Sequence, residues 1–248
     1  MTQSDKIEGR NPVLEALRAD REIDKILVAK GAAQGSIQKI IAMAKDKKIP
    51  VQYVEKQKID QLSTSHAHQG IIAFVAAYRY VEVEDILQYA INKEEDPFIL
   101  ILDEITDPHN LGSMIRTADA AGVHGVIIPK RRAVGLTSVV AKTSAGALEY
   151  VPVAKVSNIA QTIEYLKEKG VWIIGADMTG ETSYYNRDLT GKIALIIGSE
   201  GKGIGRLIKE KCDFLVNIPM RGEVSSLNAS VAASILMYEV VKQRESRE

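Results

Sequence analysis

The sequence predicts an α/β protein, a mostly parallel sheet with helices on both faces, preceded by a smaller α/β unit. Three observations carry that prediction. Short apolar runs at Phe98–Leu102, Gly125–Ile128, Val171–Ala176, Ile193–Ile197 and Phe214–Ile218 read as strands covered on both faces. Helical stretches at Leu111–Ala121, Ser138–Leu148, Ile159–Lys169 and Leu227–Gln243 alternate with them, which is the pattern of parallel strands joined by crossovers. A strongly acidic stretch, 81–97, sets the first 80 residues apart: only Lys93 opposes Glu82, Glu84, Asp85, Glu94, Glu95 and Asp96, a net charge of −5.

Taken in order, Asn11-Pro12 reads as an N-cap followed by the residue favoured at a first helical position, starting a short helix through Leu17. A β-rich run, Ile23–Ala29, follows. Ser36 to about Lys47 places Ile37, Ile40, Ile41 and Ala44 on one helical face. Val51–Val54 and Gly70–Ala77 read as further strands. The acidic stretch, ended by Pro97, reads as a helical connector whose Val83, Ile86, Leu87 and Ala90 dock on a neighbour. The domains expected are therefore 1–80, a linker at 81–97, and 98–248. Trp172, the sole tryptophan, falls in an apolar run and is expected in the core.

Composition narrows the class. The 248 residues carry 32 Lys and Arg against 32 Asp and Glu, and 46% are hydrophobic, enough for a sizeable core and against dominant disorder. No apolar run approaches the ~20 residues of a membrane helix. Met1–Glu8 is polar and acidic, unlike a secretory leader, and Cys212 is the only cysteine, so an intramolecular disulfide or multi-cysteine metal site is excluded. A cytoplasmic protein without a metal centre is expected.

Parallel sheets of this kind bind ligands beyond the carboxyl ends of their strands, so the following loops are where chemistry belongs. After the first run comes Asp103 to Ala118, in which Asn110 is a plausible N-cap and Arg116, six residues on, points from the helix's second turn. After the fourth comes Gly198-Ser199-Glu200-Gly201-Lys202-Gly203-Ile204-Gly205, whose glycines let backbone approach a ligand closely. Its order is neither the dinucleotide nor the Walker fingerprint, which removes the main support for a dehydrogenase or a nucleotide-phosphate site. After the fifth come Ile218-Pro219-Met220 and Ser225-Ser226-Leu227-Asn228-Ala229-Ser230, small residues opening a long helix.

Together these loops resemble the SpoU- or TrmH-type RNA 2′-O-ribose methyltransferases. The N-x-G-x-x-x-R-T-A motif stands at Asn110 to Ala118, G-x-E-G-x-G at Gly198 to Gly203, and I-P-M…S-L-N-x-S-V-A at Ile218 to Ala232, in family order and spacing. Ala229 stands where many relatives carry valine, a change between small apolar residues. Gly9-Arg10-Asn11-Pro12-Val13 and His68-Gln69-Gly70-Ile71 resemble the small ribosomal-protein-like substrate-binding domain of the subgroup that methylates a guanosine of 23S rRNA.

The resemblance implies a deep trefoil knot at the carboxyl end, an exception to the rule against threaded connections. It implies S-adenosylmethionine as cofactor, with Gly198, Ile218 and Leu227 lining the adenosine pocket and Met220 nearby. It implies a homodimer packed through the knotted domain, and a catalytic set of Arg116, Asn110, Glu200, Ser226 and Asn228. Arg116 is the residue implied in activating the ribose hydroxyl. A guanidinium stays protonated in proteins, so its role is expected to be a grip on the adjacent phosphate and stabilisation of a developing alkoxide rather than literal proton abstraction. RNA, most simply 23S rRNA, is the implied partner, with no DNA and no membrane.

The same chemistry on a tRNA guanosine or an rRNA adenosine is the near alternative, and a non-catalytic ribosome-assembly factor the distant one. Arg10, Lys30, the basic face of Ser36 to Lys48, and Lys130-Arg131-Arg132 are candidate phosphate contacts. His66 and His68 read as loop hydrogen-bonding residues rather than metal ligands, and Tyr184-Tyr185 as a possible base-stacking pair.

Overall fold

Ile7, Ile26, Val28, Ile71, Ala73 and Val75 share one buried face, packed against Val13, Leu17, Ile37 and Ile40. That pattern of period two meeting period near four places helices on a sheet. The computed structural model describes residues 5–246 apart from 20, 22, 65, 66, 76, 77 and 181, so His66, Ala76 and Ala77 lie outside the described residues. The chain divides into two units, Met1–Arg79 with Leu136–Tyr150, and Tyr80–Gly135 with Val151–Glu248.

The first unit runs β1 (Asp5–Glu8), α1 (Arg10–Arg18), β2 (Ile23–Ala29), α2 (Ser36–Asp46), β3 (Val51–Val54), α3 (Lys56–Leu62) and β4 (Ile71–Val75). Its sheet order is β1-β4-β2-β3, with β4 antiparallel to both neighbours and β2 parallel to β3. α1 begins at Arg10 with Gly9 as its cap, so Asn11 is already helical rather than the expected cap. Gly9 takes φ 98, a conformation only glycine adopts cheaply, and its N–H donates to Ile71 O at 3.3 Å. Arg10 in turn donates from its backbone to Gln69 Oε1 (3.1 Å) and from Nε to Gln69 O (3.3 Å), so the two amino-terminal motifs meet. His68 is buried and hydrogen-bonded, Nε2 to Asp60 (2.8 Å) and Nδ1 accepting from Gly70 N–H (3.0 Å).

The second unit begins with α4 (Val83–Asn92), started by a capping box between Glu82 and Asp85, with Val83, Ile86, Leu87 and Ala90 buried as their spacing predicts. Then come β5 (Phe98–Leu102), α5 (Pro108–Ala120) and β6 (Gly125–Pro129). α6 (Ser138–Thr143) and a 3-10 turn at Ala147–Glu149 replace the single helix expected at Ser138–Leu148. After them follow β7 (Val153–Val156), α7 (Ile159–Glu168), β8 (Trp172–Ala176), β9 (Thr182–Ser183), β10 (Ile193–Ile197), α8 (Arg206–Lys211), β11 (Phe214–Asn217) and α9 (Ala229–Glu245). The seven-stranded sheet has order β7-β6-β5-β10-β8-β11-β9 and is parallel throughout. β7 and β9 are edge strands too short and mixed for a continuous apolar run, which is why only the inner strands stand out in the sequence.

α4, α7 and α8 cover one face through Ile86, Ile163 and Ile208 against Ile99, Ile101, Ile173 and Ile196. α5 and α9 pack together, and α9 lies on β10. Every residue of β5 and β10 is buried, each isoleucine or leucine contributing about 1.5–3 kcal/mol, so the sheet is strongest where those strands adjoin.

Two features differ from expectation. Leu136–Tyr150 groups with the first unit rather than with the residues around it in sequence. Gly146, at φ 101, lies so close to α1 that a Cβ there would sit 2.4 Å from Glu15 Cβ, and Tyr150 Oη donates to Glu15 at 2.6 Å. Arg21 pairs with Glu149 at 3.1 Å, both side chains nearly buried, Tyr78 Oη donates to Glu149 at 2.9 Å, and the Arg21 guanidinium lies over the Tyr78 ring. Burial, and then the neighbouring Glu149 charge, push the Tyr78 phenol well above its usual range. These polar partners, separated by some hundred residues, hold the segment. Trp172 is the second difference. It opens β8 at the strand's amino end, yet is 53% exposed and stacks on Phe214.

Candidate active site

β5 and β10 are parallel neighbours although β6 to β9 intervene in sequence, so the chain leaves them in different directions. Their carboxyl-end loops emerge side by side, with Asp103 N–H donating to Ile197 O at 2.8 Å. A crevice forms at such a switch point.

α5 is capped by Asp107, whose carboxylate accepts the His109 N–H at 2.8 Å, with Pro108 in its first turn. Asn110 is therefore inside the helix, not its cap, and Arg116 sits one turn further along than the sequence suggests. The Asn110 amide is thus released for other partners. Its Nδ2 donates to Glu200 Oε1 at 3.1 Å, and its Oδ1 accepts from Asn228 Nδ2 at 3.0 Å. Asn228 also donates to Glu200 Oε1, while its own Oδ1 caps α9 by accepting from Ser230 N–H (3.0 Å) and Val231 N–H (3.3 Å). Ala229 N–H adds a third donor to Glu200 Oε1 at 3.3 Å. One carboxylate oxygen thus ties three loops together. Among the described residues its second oxygen accepts no hydrogen bond, and Glu200 is exposed, so that oxygen faces an incoming ligand.

Glu200 is carried on a tight loop. Ser199 and Gly203 exchange backbone hydrogen bonds of 3.2 and 2.9 Å. Gly198 lies directly beneath: a Cβ there would stand 2.0 Å from the Gly203 carbonyl carbon, so only glycine closes the loop. Buried Asp103 holds the far end by accepting the Gly205 N–H at 2.9 Å. Burial raises its carboxyl above the usual value against the lowering effect of that N–H, with Glu104 adding to the rise. Asp177 sits against Gly203 and pairs with Lys209 at 2.5 Å. Burial alone would raise its pKa, but Lys209 and the Thr179 hydrogen bonds prevail and hold it low. Neither aspartate stood out as a candidate in the sequence, although each is the first acidic residue after a buried strand.

Ile218 and Leu227 are half-buried on the loop between β11 and α9, whereas Met220 and Ser226 are exposed there. Arg116 is exposed on α5 and has no ion pair or hydrogen bond to a described residue. Of the predicted residues, the structure joins Asn110, Glu200 and Asn228 by hydrogen bonds. It joins neither Arg116 nor Ser226 to them. In the Lys130-Arg131-Arg132 loop, Arg132 reaches Glu104 at 3.1 Å, which brings that basic loop to the carboxyl end of β5. Among the described residues no group of three or more His, Cys, Asp or Glu is placed to hold a metal, and no helix is long and apolar enough to cross a membrane.

Residues 97–238 match the SpoU rRNA methylase family, and residues 6–81 match the RNA 2′-O ribose methyltransferase substrate-binding family. The chain is 54% identical over 242 residues to YacO of Bacillus subtilis, named for the TrmH family of tRNA/rRNA methyltransferases, covering 98% of this chain and 97% of that one. It is similar in structure to the SpoU methyltransferase AviRb of Streptomyces viridochromogenes with AdoMet bound, at TM-score 0.82 and 25% identity over 97% of this chain and 90% of that one. The AdoMet-bound rRNA methyltransferase of Sinorhizobium meliloti gives TM-score 0.81 and 25% identity over 97% and 88%.

Proposed function

Because the chain belongs to the SpoU rRNA methylase family, we propose that it transfers a methyl group from S-adenosylmethionine to the ribose 2′-oxygen of a guanosine in the peptidyl-transferase region of 23S rRNA, as RlmB does. The observation that carries the reading is the Asn110–Glu200–Asn228 junction, which unites the three family motifs at the switch point of the sheet. A separate amino-terminal unit that matches a substrate-binding family supports rRNA over tRNA. The same two matches support an RNA-binding domain at 1–80 and a catalytic domain at 98–248, but the stretch 81–97 expected as a linker packs α4 into the second unit's core, and 136–150 groups with the first unit.

The residues present fit the cofactor. The glycine-packed loop after β10 offers backbone in place of side chains, and half-buried Ile218 and Leu227 supply apolar surface for a flat adenine ring, with Met220 beside them. When bound, S-adenosylmethionine supplies an activated methyl on a sulfonium, so alignment is the main task left to the protein. Arg116, permanently charged and exposed, grips the phosphate next to the target ribose and stabilises the alkoxide as it forms. Asn110 and Asn228 hold Glu200 in one rotamer, and its open oxygen with the Ser226 hydroxyl orients the ribose.

A homodimer is supported by α9, on which exposed Val231 and Tyr238 lie seven residues apart with half-buried Ile235 between them, an apolar stripe that a second copy would cover. A trefoil threading is supported by the chain path. β11 is separated from β10 by β8, yet the segment that follows it returns to Glu200.

Ribose-methylation mapping of rRNA and tRNA from cells lacking the protein, followed by methylation of that RNA by purified protein with labelled S-adenosylmethionine, tests the reading. Loss and restoration of one 23S guanosine mark is the expected result. A mark restored elsewhere overturns the substrate, and no methyl transfer overturns the chemistry.

A further inference from the structure

At the opposite ends of the strands from Glu200 the same unit carries an aromatic and cationic stack. Trp172, first residue of β8, is 53% exposed and stacks on Phe214, first residue of β11, with centroids 5.5 Å apart and planes at 27°. The Arg187 guanidinium lies over that Phe214 ring at 3.2 Å. Among the described residues Arg187 has no carboxylate partner. An adjoining cleft of about 330 Å³ is lined by Thr179, Thr182, Arg187, Asp213, Phe214 and Leu215, a volume at the small end for a bound ligand and suited to a single base.

The one acid among the cleft's described lining residues is already neutralised. Asp213 pairs with Lys167 at 2.8 Å and accepts the Ile173 N–H at 2.8 Å. The Trp172 backbone N–H donates to Lys192 O at 2.8 Å, so exposed Lys192 stands on the neighbouring chain segment. A large apolar ring held in water by a preformed stack, flanked by Arg187 and Lys192, neither of which pairs with a carboxylate among the described residues, has the make-up of a platform for an unpaired nucleobase and its phosphate. A partner protein would need a broad apolar surface, whereas this site offers one ring and two cations.

We propose that Trp172, backed by Phe214 and Arg187, is a second RNA contact that stacks one unpaired base of the substrate away from the methylated ribose. The proposal rests on the chain's acting on RNA. Trp172 is the only tryptophan, so its fluorescence reports the contact directly. Titration of the full-length protein with a single-stranded RNA of about 12 nucleotides at low salt is expected to quench that emission saturably. Trp172→Ala is expected to weaken binding about tenfold, as loss of one stacked base predicts, and Trp172→Phe by less. Arg187→Gln keeps the reporter and is expected to lower the salt dependence of binding by about one phosphate contact. In methyl-transfer assays Trp172→Ala is expected to raise KM for RNA and leave kcat unchanged. RNA binding without quenching, or with the affinity of Trp172→Ala unchanged, overturns the platform even if methylation proceeds normally. Quenching by RNA without any methyl transfer by the unaltered protein would instead retain the platform and sink the proposed reaction.

Discussion

Two polar junctions hold distant parts of this chain together, and they differ in what surrounds them. In the first unit Arg21, Tyr78 and Glu149 join the segment 136–150 to α1 and its neighbours, with the Arg21 and Glu149 side chains only 8% and 6% exposed. In the second, Asn110, Glu200 and Asn228 join three loops, yet Glu200 and Asn228 remain exposed and one Glu200 oxygen is open. Both contain a glutamate that accepts from donors far away in sequence. The first is shut away from solvent, while the second stands where a ligand can reach it. Residue type does not separate a structural junction from a candidate catalytic one; burial does.

Mutation should separate the two most sharply at the buried one. Glu149→Ala removes the acceptor shared by Arg21 and Tyr78 at a nearly buried site, and a loss of about 3–5 kcal/mol is expected in denaturant unfolding of the full chain. A loss under 1 kcal/mol would remove the contrast. At the exposed junction the effect should appear in rate instead. Arg116→Ala is expected to lower kcat for RNA methylation by about 10²–10³, with the melting temperature unchanged because the side chain has no packing role. An active Arg116→Ala enzyme would refute the assigned role.

Gly198→Ala probes the loop that carries Glu200. The added carbon would meet the Gly203 backbone at 2.0 Å, so the loop must open, at a cost of about 1–3 kcal/mol. Calorimetric titration should show S-adenosylmethionine binding weakened accordingly while the first unit's circular-dichroism signature persists. Asp103→Asn gives the smallest change, and its sign is set by pH. The folded state raises the Asp103 pKa above 3.8, so the stabilising contribution is fully present below that value and is lost as pH rises through the folded pKa. The substituted amide keeps an acceptor for the Gly205 N–H without the buried charge. The variant should therefore be more stable than the parent near neutral pH, a gain that vanishes at low pH in melts compared across that range. A constant difference would show that the carboxyl does not titrate in this environment.

Much of the architecture was legible because burial on both faces writes itself into sequence as unbroken apolar runs. β5, β6, β8 and β10 were each visible on that ground, as was the docking face of α4, whereas β11 carries the same apolar run but is only half-buried apart from Val216, since just the short edge strand β9 lies beyond it. β7 and β9 were not, since edge strands alternate too briefly to register. The three loop motifs were legible as a resemblance, but the link between Asn110, Glu200 and Asn228 was not, because 90 and 118 residues separate Asn110 from its partners. Trp172 failed for a related reason. Its place in an apolar run predicts burial, whereas it is the first residue of β8 and is exposed while the three that follow are buried. Local patterns therefore settle which segments become strands and helices, since those depend on periodicity within a few residues. Which polar groups end up paired, and which stay open to a ligand, depends on contacts between strands brought together by sheet order, and β5 lies beside β10 only once the whole sheet has formed.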